Sequence, residues 1–185
     1  MNMKYYRIIV DSSDIKGGIM YAPSNWPYPI ARDAENVENW QSLVLELKNG
    51  DYRHFNLCIG GANIISNEFK DVLLPFVSND SAIEFLPVLV KSKDYGDKEF
   101  YILHFKKIFD VIDKRNTIYA KGTDVIIKKR LDYYKVRDLD IFNSQPAIND
   151  VIVSAKIKKL IKRAKLDFGL EFVPIFCVNP PDSIR

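Results

Sequence analysis

Hydrophobic and polar residues follow two rhythms along this chain. The first has a period of two. "KYYRIIV" (4–10) is β-branched and aromatic and predicts an opening strand. In "SLVLELKNGDYRHFNLCI" (42–59), Leu43, Leu45 and Leu47 alternate with polar or smaller residues, and Phe55 and Leu57 alternate beyond Asn49-Gly50. That dipeptide supplies the positive φ angles of a type I′ turn, so the stretch predicts a β-hairpin. "EFYILHF" (99–105) reads as a further strand and "KKIFDVID" follows it. "KGTDVIIKKRL" (121–131) reads as another strand, entered through a glycine turn.

The second rhythm is helical and occurs twice. "SNEFKDVLLPFVSNDSAIEFLPV" (66–88) and "SAKIKKLIKRAKLDFGLEFVPI" (154–175) each open on a serine behind an apolar pair, Ile64-Ile65 and Ile152-Val153. A serine there accepts a hydrogen bond from an unpaired N–H of the first helical turn. Phe69, Val72, Leu73 and Phe76 in one copy match Ile157, Leu160, Ile161 and Ala164 in the other, each set spaced i, i+3, i+4, i+7. Both copies then cross a short turn into a strand, "IEFLPVLV" and "LEFVPIFCV". Glu84 aligns with Glu171 and Pro87 with Pro174, with one residue fewer in the second turn. Proline cannot donate to a ladder, so each strand is expected to lie at an edge, end there or bulge. Pro75 is expected to stop the first helix near Leu74, whereas the second has Arg163 at that place and continues. The expected fold class is α+β: a mixed or antiparallel sheet with two similar capped-helix-then-strand units, about 66–90 and 154–178, packed on it. We read the pair as an internal repeat.

Composition adds little to this and removes several alternatives. At 185 residues and 47% hydrophobic, the chain is long enough for one core. With no evident linker, it is expected to form a single domain over 1–185. Residues 1–62 would supply the strand, a long loop and the hairpin, and 63–178 the repeat region. No stretch approaches the roughly 20 apolar residues that span a bilayer. Ile8 to Val10 is cut off by Asp11 before it could serve as a secretory run, so the expected location is the cytoplasm. The irregular "DSSDIKGGIMYAPSNWPYPIARD" (11–33) carries Trp26 and Tyr28 between prolines, either as a lid over the core or as a partner-binding knob.

Candidate chemistry is sparse. Cys58 and Cys177 sit in apolar settings and read as buried free thiols. Two cysteines and two histidines do not supply a metal site, and none is expected. His54 and His104 are isolated on strands and lack the partners a general base needs. Gly60 and Gly61 in "CIGGAN" read as a tight connection rather than a phosphate cradle. The pairs Asp110/Asp113 and Asp138/Asp140 read as solvated turn residues. No catalytic residue and no cofactor are therefore expected, which favours a binding protein over an enzyme. The net charge of +3 is too small to argue for nucleic acid. Its distribution is more informative. Lys156, Lys158, Lys159, Lys162, Arg163 and Lys165 lie opposite the apolar stripe of the second helix, while the first helix carries only Lys70 among Glu68 and Asp71. Such a face suits an acidic partner. A second reading is a nucleic-acid or phosphate-binding module that uses the same lysines.

Several stretches resemble one bacterial family. It was first described as a domain of unknown function and later assigned to the immunity proteins of polymorphic toxin systems, immunity family eleven in that classification. Ile141-Phe142, Ile152-Val153-Ser154 and the Gly169 to Pro174 stretch match its C-terminal pattern, and Asp110 to Asp113 its central segment. The resemblance covers roughly the last two thirds of the chain. It implies a protein that binds and blocks a cognate toxin domain, with no catalytic residues to carry over. Members tend to have arginine after the Ile-Phe pair, where this chain has Asn143.

Overall fold

The computed structural model describes residues 4–24, 37, 39–59, 61–77, 82–145 and 147–178. In chain order the strands are β1 (Lys4–Val10), β2 (Ile19–Tyr21), β3 (Leu43–Lys48), β4 (Phe55–Ile59), β5 (Asn63–Ser66), β6 (Ile83–Lys91), β7 (Lys98–Phe105), β8 (Ile118–Tyr119), β9 (Ile126–Lys128), β10 (Arg130–Asp132), β11 (Ile141–Ser144), β12 (Ala147–Ser154) and β13 (Leu170–Val178). The helices are α1 (Asn67–Leu73), α2 (Tyr133–Val136) and α3 (Ala155–Arg163). Strand accounts for 46% and helix for 15%, so the architecture is mostly β. It is built on two large sheets, not the single one expected. β2-β3-β6-β7-β5-β4 close into a six-stranded barrel, and β10-β13-β1-β12-β11 curl into a half-barrel. β8 and β9 form a separate two-stranded sheet.

Each of the two helix-then-strand units lands on its own sheet, and the pairings around them correspond at several rungs. In the barrel, β7 lies antiparallel between β5 and β6, pairing Ser66 with Phe100 and Pro87 with Tyr101. In the half-barrel, β1 lies antiparallel between β12 and β13, pairing Ser154 with Tyr5 and Pro174 with Tyr6. The outer strands follow suit. β3 joins β6 in parallel as β10 joins β13. β4 joins β5 with Phe55 opposite Ile65, as β11 joins β12 with Ile141 opposite Val153. Each unit is thus a strand, a helix and a parallel strand, with an antiparallel strand inserted between the two. In the second unit the inserted strand is the chain's first.

The helices form where the sequence rhythm placed them. Ser66 Oγ accepts from the Phe69 N–H at 3.2 Å and Ser154 Oγ from the Ile157 N–H at 3.4 Å, the expected N-caps. Pro75 falls in a 3₁₀ turn, Leu74–Phe76, directly after α1. α3 runs on to Arg163. Phe69 and Leu73 of α1 and Ile157 and Ile161 of α3 share one core with Ile65, Leu103 and Phe105 of the barrel and Ile8, Val151 and Val153 of the half-barrel. Burying four such side chains fully contributes roughly 1.5–3 kcal/mol each. Two further cores fill the barrel, around Met20, Leu45, Ile64, Val88 and Ile102, and the half-barrel, around Tyr5, Leu131, Phe142, Ile152 and Ile175.

Three local expectations are corrected. β3 and β4 do not form a hairpin. Asn49 and Gly50 do take positive φ, but β2 lies between the two strands, antiparallel to β3 and parallel to β4. The turn packs on the segment before β2, with Asp51 N–H donating to the Lys16 carbonyl at 2.7 Å. A side chain at Gly50 would stand 2.6 Å from that same oxygen. β6 and β13 are interior strands, yet their prolines sit where the parallel neighbour has not begun, since β3 starts opposite Val88 and β10 opposite Phe176. Residues 121–131 give not one strand but β9 and the start of β10, in different sheets with Lys129 between them.

The half-barrel lacks a true counterpart of β2. Residues 111–113 take that place beside β10, with Asp132 N–H donating to the Val111 carbonyl and Asp113 N–H to the Arg130 carbonyl, both at 2.9 Å. On the β11 side, the fully buried Asn143 bridges the gap by accepting the Phe109 N–H at 3.2 Å.

A buried ion pair ties the loop after β1 to the approach to β4. Arg53 donates to both carboxylate oxygens of Asp14, at 2.6 and 3.0 Å, with both side chains about nine-tenths buried. Gly169 (φ +74) packs against the pair, and a β-carbon there would meet Asp14 Oδ2 at 2.6 Å. The Arg53 hydrogen bond holds the Asp14 carboxyl below the usual range. Its contribution is therefore complete above the ordinary aspartate pKa of about 4 and is lost as pH falls through the lowered value. Asp14→Ala leaves the buried guanidinium with only the more distant carboxylate of Asp51, 3.7 Å away, and is expected to lower stability by about 3 kcal/mol at neutral pH. Urea titrations at pH 7 and pH 3 check this, the difference from wild type shrinking at the lower pH.

Candidate partner-binding surfaces

The lysine-rich face of α3 is less free than its sequence suggests. Lys156 lies 3.7 Å from Asp140 and over the Phe76 ring at 4.5 Å. Lys158 sits over Tyr6 at 3.6 Å and reaches Phe172 at 5.3 Å, so its stem and charge cover the seam between helix and sheet. Lys162 faces Asp167 at 3.9 Å. Lys159, Arg163 and Lys165 are exposed. The two caps also keep different polar company. Ser66 Oγ meets His54 Nδ1 at 2.9 Å with Glu68 alongside, whereas Ser154 Oγ donates to Asp140 at 2.5 Å with Lys156 alongside. Trp26 and Tyr28 lie outside the described residues.

A second surface emerges from matching the two sheets. One interior layer of the barrel contains Leu43, Ala62, Leu86 and Ile102. At the matching register the half-barrel has Lys129, Asp150, Val173 and Arg7. Lys129 Nζ donates to Asp150 at 3.0 Å and to the buried Ser144 hydroxyl at 2.7 Å. Arg7 approaches the other oxygen of Asp150 at 3.5 Å. Asp150 and Lys129 are 12% and 15% exposed, Arg7 41%. This charged layer opens into a groove of about 700 Å³ between the β9 region, Val125 to Lys128, and the Val173 to Phe176 stretch of β13. The other end of the half-barrel is filled by α2, whose Val136 carbonyl accepts the Tyr5 hydroxyl.

The model of the Immunity protein family (Imm11) matches residues 27–175. The chain belongs to this family. The match starts further upstream than residue 63, where the sequence resemblance fades, and takes in both sheets except for β1, β2 and the end of β13. No curated protein matches the chain.

The remaining sequence candidates of this Imm11 chain have structural partners. His104 is buried beside Glu84, 3.6 Å away. Asp110 pairs with Lys135 at 2.7 Å, and Asp113 accepts from Arg115 and Asn116 in its own turn. Asp138 pairs with Arg137. Gly61 belongs to a tight turn between β4 and β5, a strand-to-strand link rather than strand-to-helix. Among the described residues no three His, Cys, Asp or Glu side chains gather into a metal-holding group, and no helix is long and apolar enough to cross a membrane. Asn143, at the position after the Ile-Phe pair, serves here as the bridge to Phe109. The charged layer was missed from sequence because Arg7, Lys129 and Asp150 are far apart in the chain. An alignment of "YYRI" (5–8) with "FYIL" (100–103) would have flagged Arg7 at an inward position.

Both thiols are buried, and burial pushes each up to about 11. Neither Cys58 nor Cys177 is expected to react with iodoacetamide at pH 8 in the folded chain, and both should react in denaturant. Mass spectrometry of the alkylated protein distinguishes the two cases.

Proposed function

We propose that this Imm11 chain binds and neutralises a cognate bacterial toxin domain by stoichiometric protein–protein association. It acts in the cytoplasm as one folding unit, by binding rather than catalysis and without a cofactor. The observation that carries this reading is the family match over 27–175. The accounting of polar residues supports it, since His104, Asp110, Asp113 and Asp138 are taken up by pairs and turns. Nucleic-acid binding through α3 draws less support, because Lys156, Lys158 and Lys162 are engaged within the chain. The exposed Lys159 and Arg163 fit better as cations that steer an acidic protein partner.

The test is co-expression of the chain with the toxic domain encoded beside its gene. Survival and a one-to-one complex on size exclusion are expected; cell death with no complex would remove the reading. Lys159→Glu with Arg163→Glu is expected to slow association several-fold at low salt and hardly at all at high salt. Stopped-flow rates at two ionic strengths would show it, and rates equal to wild type at low salt would clear α3 of any role.

A further inference from the structure

We infer that the mouth of the half-barrel is the packed contact of the complex, and that it receives an acidic, apolar-flanked surface loop of the toxin domain. This deepens the proposed function and rests on it. The inference begins from the mismatch between two otherwise matching sheets. Where the barrel closes on Leu43, Ala62, Leu86 and Ile102, the half-barrel puts two cations and one anion in the same layer. Charges are costly to bury and gain nothing for the core that leucine and isoleucine would not supply better. Asp150 is already served by Lys129 at 3.0 Å and Arg7 at 3.5 Å, so the layer keeps one unit of positive charge. Arg7 is the group turned toward the groove, at 41% exposure.

The walls add a second preference. Val125 and Ile127 are 63% and 67% exposed, and Phe176 is 51% exposed beneath Lys128 and Arg130, which lie 5.0 and 4.4 Å from its ring centre. Among the groove-lining residues, Asp124 and Asp150 are outnumbered by Arg7, Lys128 and Lys129. Among the described residues no strand pairs with the β10-side edge of β13 at Val173 and Pro174. In the barrel, the Trp40 indole donates to the Pro87 carbonyl at 2.9 Å and covers the matching edge. At Pro174 the groove lies in that place. An occupant therefore needs a carboxylate for Arg7, apolar bulk for Val125, Ile127 and Phe176, and a polar hydrogen for the β13 edge. An acidic protein loop with an apolar or aromatic neighbour provides all three. Its charge is also the sign that the overall +3 of the chain attracts.

The test uses the full chain and the toxin domain encoded beside its gene. Val125→Asp with Ile127→Asp adds like charge at exposed positions, and Arg7→Gln removes the layer's surplus positive charge. Val44→Asp with Leu57→Asp makes the same kind of change on the outside of the barrel, where both residues are exposed. Calorimetry is expected to show the Val125/Ile127 pair weakening binding by at least about tenfold. Arg7→Gln should weaken binding and flatten its salt dependence, the barrel pair should match wild type, and all variants should keep the wild-type circular dichroism. Wild-type affinity in both mouth variants would overturn the inference while leaving immunity intact. Absence of any wild-type complex would overturn the immunity reading and the inference with it. Sedimentation of the chain alone supplies the last arm. A wild-type dimer broken by the Val125/Ile127 pair would put a second copy in the groove and overturn the toxin as its occupant.

Discussion

Ser66 and Ser154 each hold two positions at once. Each is the last rung of a strand, opposite Phe100 in one sheet and Tyr5 in the other, and each is the N-cap of the helix that follows. The backbone N–H of each also bonds to the carbonyl just before the strand alongside, at His54 and Asp140. A strand that ends on its own helix cap has little freedom in how the helix leaves the sheet. The apolar stripe then lies over the sheet it came from, and the chain returns parallel to the first strand with one strand between. Done twice, this brings α1 and α3 together and lets the two sheets share a core. The caps thus set the helix direction, and the helix direction sets the packing.

Given two such units, the difference between them becomes the informative feature. β2, only three residues long, closes one sheet into a barrel by pairing on both sides. Its counterpart around Val111 pairs with β10 by backbone but meets β11 through the Asn143 side chain. The half-barrel is therefore held on one side by a side-chain bridge. Its interior can accept polar groups that a closed barrel would exclude. The charged layer lies in this less complete sheet, beside a groove furnished with charge and apolar walls.

Much of the frame was legible in the sequence, because its signals are local. Both serine caps, both apolar stripes, the stop at Pro75, β1 and β7 all depend on residues a few positions apart. The alignment of Glu84-Pro87 with Glu171-Pro174 also held in register, each proline facing a stretch of strand edge that its parallel neighbour has not reached. What escaped was non-local. Nothing within "IMY" says that it will separate β3 from β4, so the Asn49-Gly50 turn pointed to a hairpin that β2 displaces. The second unit borrows its central strand from the opposite end of the chain, so a search for contiguous repeats finds only half of it. The lysines of α3 drew attention by their density, yet Lys158 and Lys156 lie over aromatic rings. Arg7, Lys129 and Asp150 drew none, each being an ordinary charge in its own neighbourhood.

Hydrogen exchange of the chain, free and in complex with its toxin domain, addresses the central claim most directly, because it reports every backbone amide without altering a residue. The account predicts that protection on binding concentrates in β8, β9 and the Val173 to Phe176 stretch of β13, while β3, β4 and β6 exchange as in the free chain. Protection confined to the barrel, with the half-barrel mouth unchanged, would contradict it.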